Sequence, residues 1–312
     1  MASRVTTSSP ELILHQYDFS NYAEKARLAL GYKGLAWRAV TIPPVAPKPD
    51  LTPLTGGYRR TPVLQVGADV YCDTRLILRE LDRRQPEPSI GFTAEAQAIA
   101  YWAEHQLFRP MSLYVSGSNL DVLPKDLQAD RSRMRGLPIP DDDTVRRAAR
   151  RNAPAVRVQI AWAAEMLSDG RDWICGSVVT VADFAVYHAL WFLTARTDRL
   201  AHELAPYDAV NAWMARMRAF GHGQPTPMAA TEALDVAAAS EPVSPRLSEP
   251  YDEDPLPGSQ VRVRADDYAR DPIDGELVLI DRDEIAVRRD DPRVGEVVVH
   301  FPRLGYDLRP AR

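Results

Sequence analysis

Thr61-Pro62-Val63-Leu64-Gln65-Val66-Gly67-Ala68-Asp69-Val70-Tyr71-Cys72-Asp73-Thr74 is the stretch on which the fold turns. Two apolar runs, 62–66 (PVLQV) and 69–72 (DVYC), flank Gly67-Ala68, which is the spacing of a tight hairpin. Asp73-Thr74 then opens a helix that runs to about Arg84. Upstream, 11–17 (ELILHQY) reads as a strand. From Tyr22 to Gly34 the period becomes helical, with Ala23, Ala26, Ala29 and Leu30 on one face and Glu24, Lys25 and Lys33 on another. Ser20 or Asn21 caps the start of that helix, and Gly34 sits where it stops. Residues 36–42 (AWRAVTI) read as a second strand, and a proline-rich loop with a helical turn near 50–54 leads back to Thr61.

The order is strand, helix, strand, loop, hairpin, helix. A βαβ unit followed by a ββα unit in so short a stretch predicts a thioredoxin-like α/β domain over residues 11–86. Residues 92–239 predict an all-α bundle, with helices at 93–116, 143–168, 180–196, 206–219 and 226–239. Trp162, Trp191, Phe192, Trp213 and Met217 are expected in its core. Residues 118–142 carry Pro124, Pro138, Pro140 and an acidic run and read as a mobile excursion. A proline- and acid-rich linker follows at 240–258. Residues 259–312 alternate apolar and polar positions at period two and predict a small all-β appendix, SH3-like or an open barrel. A unit of that size hardly supports a core alone, so it is expected to dock on the rest.

Composition narrows the function classes. The 312 residues are 45% hydrophobic and 26% charged, ordinary for globular domains. The net charge of −5 gives no reason to expect nucleic acid or an anionic membrane as partner. The basic run Arg146, Arg147, Arg150, Arg151 reads as a solvated helix face. No stretch has the length of a signal peptide or a membrane span. Cys72 and Cys175 are the only cysteines. They form no CxxC or zinc pattern, and the histidines are scattered, so no metal is expected and a reducing cytoplasmic setting fits.

The chemistry gathers at three places. A proline opening a strand, as in Thr61-Pro62, removes a donor. In a thioredoxin-like domain this X–Pro bond is cis, which turns the Thr61 backbone outward to pair with a peptide-like ligand. Ser20 opens a helix whose free N–H groups and partial positive charge favour an anion, including a thiolate. Lowering a thiol pKa by ~2 units takes about 2.7 kcal/mol, within reach of one hydroxyl hydrogen bond plus a helix dipole. Ser20 also reads simply as a cap, and the two roles are compatible. Asp73 can receive an α-ammonium and Thr74 an α-carboxylate, or the two form a plain capping pair. Lys48, Arg59 and Arg60 are candidates for a carboxylate at the ligand's other end. Tyr22, Tyr101, Trp102, His105, Phe108 and Tyr114 are candidates to line an apolar pocket between the domains, 101, 105 and 108 sharing a helix face; bundle core or a subunit interface accounts for them equally.

Residues 11–84 resemble the N-terminal domain of cytosolic glutathione transferases. The run from Ser20 through Asn21, Tyr22 and Ala23 to Lys33-Gly34 is similar to the family's Ser or Cys, Pro, Phe or Tyr stretch and its helix. The resemblance implies Ser20 as the thiol-activating residue, with Tyr17 the alternative. It implies Thr61 beside cis-Pro62 for the cysteinyl part of glutathione, and Asp73-Thr74 for the γ-glutamyl end. Thr180-Val181-Ala182-Asp183 resembles the folding motif of the family's helical domain, and also reads as a capping box. The resemblance covers about residues 11–240. Asn21 departs from the usual proline. Ser20 and Ala23 stand where a dithiol oxidoreductase has its two cysteines, which argues against disulfide chemistry. The implied function is conjugation of glutathione to a small hydrophobic electrophile, by a homodimer. The alternatives are a glutathione-dependent isomerase using the same site, and a non-catalytic binding or scaffold protein.

Overall fold

The computed structural model describes residues 10–311. The N-terminal unit runs β1 (Ile13–Gln16), α1 (Asn21–Tyr32), β2 (Ala36–Thr41), α2 (Thr52–Thr55), β3 (Val63–Val66), β4 (Asp69–Cys72), α3 (Thr74–Arg84). β1 pairs parallel with β2 and antiparallel with β3, and β3 and β4 form the hairpin about Gly67-Ala68. The expected thioredoxin-like order is therefore present. Gly67 supplies the positive φ of 62° that the two-residue turn needs.

The helical unit follows: α4 (Ala94–Trp102), a π-helical turn (Ala103–Leu107), α5 (Phe108–Ser118), α6 (Lys125–Met134), α7 (Asp142–Met166), α8 (Val181–Trp191) and α9 (Asp208–Arg218). α8 is apolar all round, and ten of its eleven residues are buried, so it forms the axis of the bundle. Asp183 reaches back to the Thr180 N–H at 2.9 Å, as a capping box requires. The same carboxylate accepts from Ile174 N–H at 2.8 Å and from Trp213 Nε1 at 3.0 Å, tying α9 and the preceding loop to the start of α8.

Three expectations for this unit are corrected. Trp162 is 47% exposed rather than in the core, because it lies on the outer face of α7. Residues 118–142 are not a loose excursion. They contain α6, which buries Leu127, Asp130 and Met134, pairs Asp130 with Arg59 and donates from Arg131 to Tyr17. The segment read as one helix over 226–239 begins instead with β5 (Gln224–Pro227), which pairs parallel with β2 before α10 (Ala230–Ala238) starts. Pro225 and Pro227 lie on this edge strand, where a missing donor is tolerated.

The appendix is β-rich, as expected. β6 (Gln260–Ala265), β7 (Ile273–Ile280), β8 (Glu284–Asp291), β9 (Gly295–Pro302) and β10 (Tyr306–Pro310) form an antiparallel set in the order β10-β6-β7-β8-β9. Consecutive strands β9 and β10 stand at opposite ends of that order, yet only residues 303–305 separate them. So short a connection forces the set to roll into an open barrel. β9 then pairs parallel with β4 (Asp69↔Val298, Val70↔Val299, Tyr71↔His300), so barrel and N-terminal sheet form one ten-stranded sheet. Ile13, Val63, Val70 and Leu54 share a core with Val261, Leu277, Val299 and Phe301. The docking expected of so small a unit is thus a strand pairing plus a common core.

Candidate active site

The site lies where β1 ends and α1 begins. Ser20 is the N-cap of α1, buried, and its Oγ accepts from Ala23 N–H at 3.1 Å. That bond leaves the hydroxyl hydrogen to donate, and the Ser20 side chain also hydrogen-bonds the Tyr17 phenol. Burial raises its pKa, against the opposing charge of Arg131, so the phenol stays protonated. Arg131 donates to Tyr17 Oη at 2.8 Å. The linked hydroxyls therefore have one hydrogen between them left to donate at a helix N-terminus, where the backbone field favours an anion.

Asn21, at the position where proline is usual, has a partner that explains it. Its side-chain amide meets His188 Nδ1 of α8 at 2.8 Å. His188 is fully buried, and burial followed by the Lys25 charge pulls its pKa down to about 3, so it is neutral. A neutral ring accepting at Nδ1 carries its proton on Nε2.

The Thr61–Pro62 bond is cis and opens the strand containing β3. Lys48 donates to Thr61 Oγ1 at 2.8 Å and lies 6.0 Å from the centre of the Tyr17 ring. Burial, then the charge of Arg131, lowers the Lys48 pKa to about 7. Asp73 caps α3, its Oδ1 accepting from Arg75 N–H at 2.9 Å. Thr74 receives a hydrogen bond from the fully buried Lys25 at 3.2 Å. Arg59 is paired with Asp130 of α6, and Arg60 with Asp267 in the β6–β7 connection.

The six pocket candidates separate. Tyr22 and Phe108 meet at 5.2 Å, and both pack on His188, at 4.6 and 5.6 Å. Tyr101 and His105 stack on each other at 4.0 Å, with Tyr101 40% exposed. Trp102 lies toward Trp162, and Tyr114 donates to Glu203 at 2.6 Å. The π-helical turn at Ala103–Leu107 inserts an extra residue between Tyr101 and Phe108 and rotates them off a shared face. His188, Arg131, Asp267, Tyr268 and Tyr306 were not anticipated. Each reaches the site from an element more than a hundred residues away in sequence, and no local motif marks any of them.

A thioredoxin-like sheet with a cis-proline strand, a serine-capped helix beside it and an all-helical second unit define the glutathione-transferase class of fold. The chain belongs to the glutathione S-transferase family: the family's N-terminal domain matches residues 14–89 and its C-terminal domain residues 149–216. A GST-like protein from Pseudomonas syringae is 36% identical, with a TM-score of 0.76 over 97% of this chain and 100% of that one, so the likeness extends into the barrel. FtsZ-localized protein A from Caulobacter vibrioides is 23% identical over 185 residues, 57% of this chain and 75% of that protein. A glutathione S-transferase from Rhodospirillum rubrum, 21% identical with a TM-score of 0.51 over 66% of this chain and 87% of that one, shares the fold. Among the described residues, no helix is long and apolar enough to cross a membrane.

Proposed function

We propose that this protein is a glutathione transferase. The observation that carries the reading is the linked pair of hydroxyls, Ser20 and Tyr17, at the N-terminus of α1 beside the Thr61–Pro62 edge. Ser20 donates to the glutathione sulfur and, with the helix field, keeps it as thiolate. The Thr61 backbone holds the cysteinyl unit, Asp73 and Thr74 the γ-glutamyl end, and Lys48 with Arg60 the glycyl carboxylate. Tyr22 and Phe108, backed by His188, form the apolar wall against which a small hydrophobic electrophile lies. Activation of the thiol and proximity then supply the rate. The enzyme acts as a homodimer, the exposed Val158 and Trp162 on one face of α7 meeting a second copy.

The test is calorimetric titration of glutathione, with the ultraviolet thiolate band followed against pH. Wild type is expected to bind and to ionise the bound thiol near neutral pH, and Ser20→Ala to bind but ionise about one to two units higher. An unchanged titration in Ser20→Ala transfers the role to Tyr17, and absence of binding ends the reading.

A second reading is favoured by the pairing of Arg60 with Asp267 and of Asp73 with Tyr306, both barrel residues. It makes the chain a non-catalytic transferase-like binding protein. The name of its Caulobacter relative, a protein localised by FtsZ, is in keeping with such a role. Glutathione binding without turnover across a panel of electrophiles supports it.

A further inference from the structure

The proposed glutathione site faces the barrel. Asp267 in the β6–β7 connection sets its carboxylate on the Arg60 guanidinium. Tyr268 lays its ring over the same guanidinium, 4.1 Å from Cζ to the ring centre, and its carbonyl accepts from Arg60 Nη2. Arg135, just past α6, flanks that ring from 5.8 Å. Ala269 donates its N–H to the Met134 carbonyl at 2.7 Å, fixing the loop to the end of α6. Ala269 is one of only two non-glycine residues with positive φ among the described residues, at 49°. Such a conformation persists only where its surroundings hold it. Close to Arg60, Tyr306 of the barrel donates to Asp73 Oδ2 at 3.3 Å and meets Tyr58 Oη at 3.2 Å.

A carboxylate on a guanidinium is the same chemistry that a peptide's terminal carboxylate brings to an arginine. We propose that the loop 266–269 is an internal counter-ligand: Asp267 occupies Arg60 in the free chain, and the carboxylate of an incoming thiol peptide takes Arg60 from it. This rests on the glutathione reading above. The exposures suit an exchange. The Arg60 side chain is 13% exposed and stays in place, whereas that of Asp267 is 41% exposed and has solvent to turn into. The exposed anion loses little on release, because water solvates it at once. Two carboxylates crowded on one guanidinium repel, so binding and release are coupled. Barrel and active site are then linked: whatever draws the loop outward opens the carboxylate end of the site, and a bound peptide loosens the loop.

The test titrates glutathione and its glycyl monoethyl ester, which lacks the free carboxylate, into wild type, Asp267→Asn and Tyr268→Ala. Asp267→Asn keeps the size of the side chain, and thermal unfolding checks that each variant is folded. Asp267→Asn is expected to bind glutathione about two- to fivefold tighter, the range of a partly exposed ion pair, while the ester changes less than about 1.5-fold. Tyr268→Ala, which removes the stacking on Arg60, is expected to move glutathione affinity in the same direction. Equal or weaker glutathione binding by Asp267→Asn overturns the counter-ligand while the glutathione reading stands. So does equal tightening for the ester, which points to a plain steric lid. If neither wild type nor variant binds glutathione, both fall together.

Discussion

His300 of β9 bonds Asp69 of β4 through Nε2 at 3.0 Å and joins the barrel to the N-terminal sheet at the strand pairing between them. Its Nδ1 meets Glu284 of β8 at 2.6 Å, and its ring stacks on Tyr71 at 4.4 Å. Two carboxylates can both accept from one imidazole only if it carries both protons. Burial alone lowers the pKa of His300, but the hydrogen bonds to Asp69 and Glu284 and their charges carry it up to about 9.

The joint therefore weakens in alkali. A histidine whose folded pKa lies above its unfolded value contributes its full stabilisation below pH ~6.5 and loses it as pH rises through about 9. The amount at stake is roughly 3 kcal/mol. Urea unfolding between pH 6 and 10 is expected to show this decline, and His300→Gln to flatten it. A wild-type profile as flat as the variant's would place the docking energy in the shared apolar core instead.

Lys48 predicts a proton signature. With its pKa at about 7 in the free protein, it is partly neutral at pH 7.5. A ligand carboxylate beside it favours the charged form and raises that pKa. Binding of S-methylglutathione, which has no thiol proton to release, should then take up a fraction of a proton at pH 7.5, read as a buffer-dependent calorimetric enthalpy. Lys48→Met should abolish the uptake and weaken binding about tenfold.

Lys25 and Glu104 form an ion pair across the two units, with side-chain exposures of 0% and 10%. Burial pushes the Glu104 carboxyl up, but the charges of Lys25 and Arg75 bring it below the usual range. Lys25→Met leaves a buried carboxylate unpaired and should cost about 3–5 kcal/mol in chemical denaturation. Lys25→Met with Glu104→Leu should recover much of that loss, since replacing the whole pair is often near neutral. A double variant as unstable as the single one would show that geometry at this joint matters more than charge.

Trp162 tests the proposed dimer. It stands with Val158 one turn apart on an exposed face of α7, and Trp102 lies 6.1 Å away. Trp162→Arg should convert the dimer to a monomer in sedimentation at micromolar concentration while keeping the helical circular-dichroism signal of the folded chain. Unchanged mass would move the interface to another face.

The local parts of this fold were legible because their signals are short-range. Gly67-Ala68 named the hairpin, Ser20 and Asp183 named helix starts, and period two named the barrel strands. The excursion at 118–142 was misjudged because its prolines flank α6 rather than interrupt it, and its anchors, Arg59 and Tyr17, lie far upstream. Trp162 was misplaced because an aromatic at helical spacing suits an interface as well as a core. Part of the candidate site was hidden for a deeper reason. Asp267, Tyr268 and Tyr306 reach it only because β9 pairs with β4, and register between strands so distant leaves no trace in either one alone.

That pairing also governs how the protein is made. β4 is complete at Cys72, but its partner strand ends at Pro302, roughly 230 residues later. At about 5–20 residues per second the ribosome takes roughly ten to fifty seconds to bridge that gap. Throughout it the nascent N-terminal sheet carries a bare strand edge and an apolar face, formed by Ile13, Val63 and Val70, that await the barrel. The N-terminal sheet is closed by a strand made far downstream of it, so a premature stop between α10 and β9 releases a product whose N-terminal sheet is left unfinished.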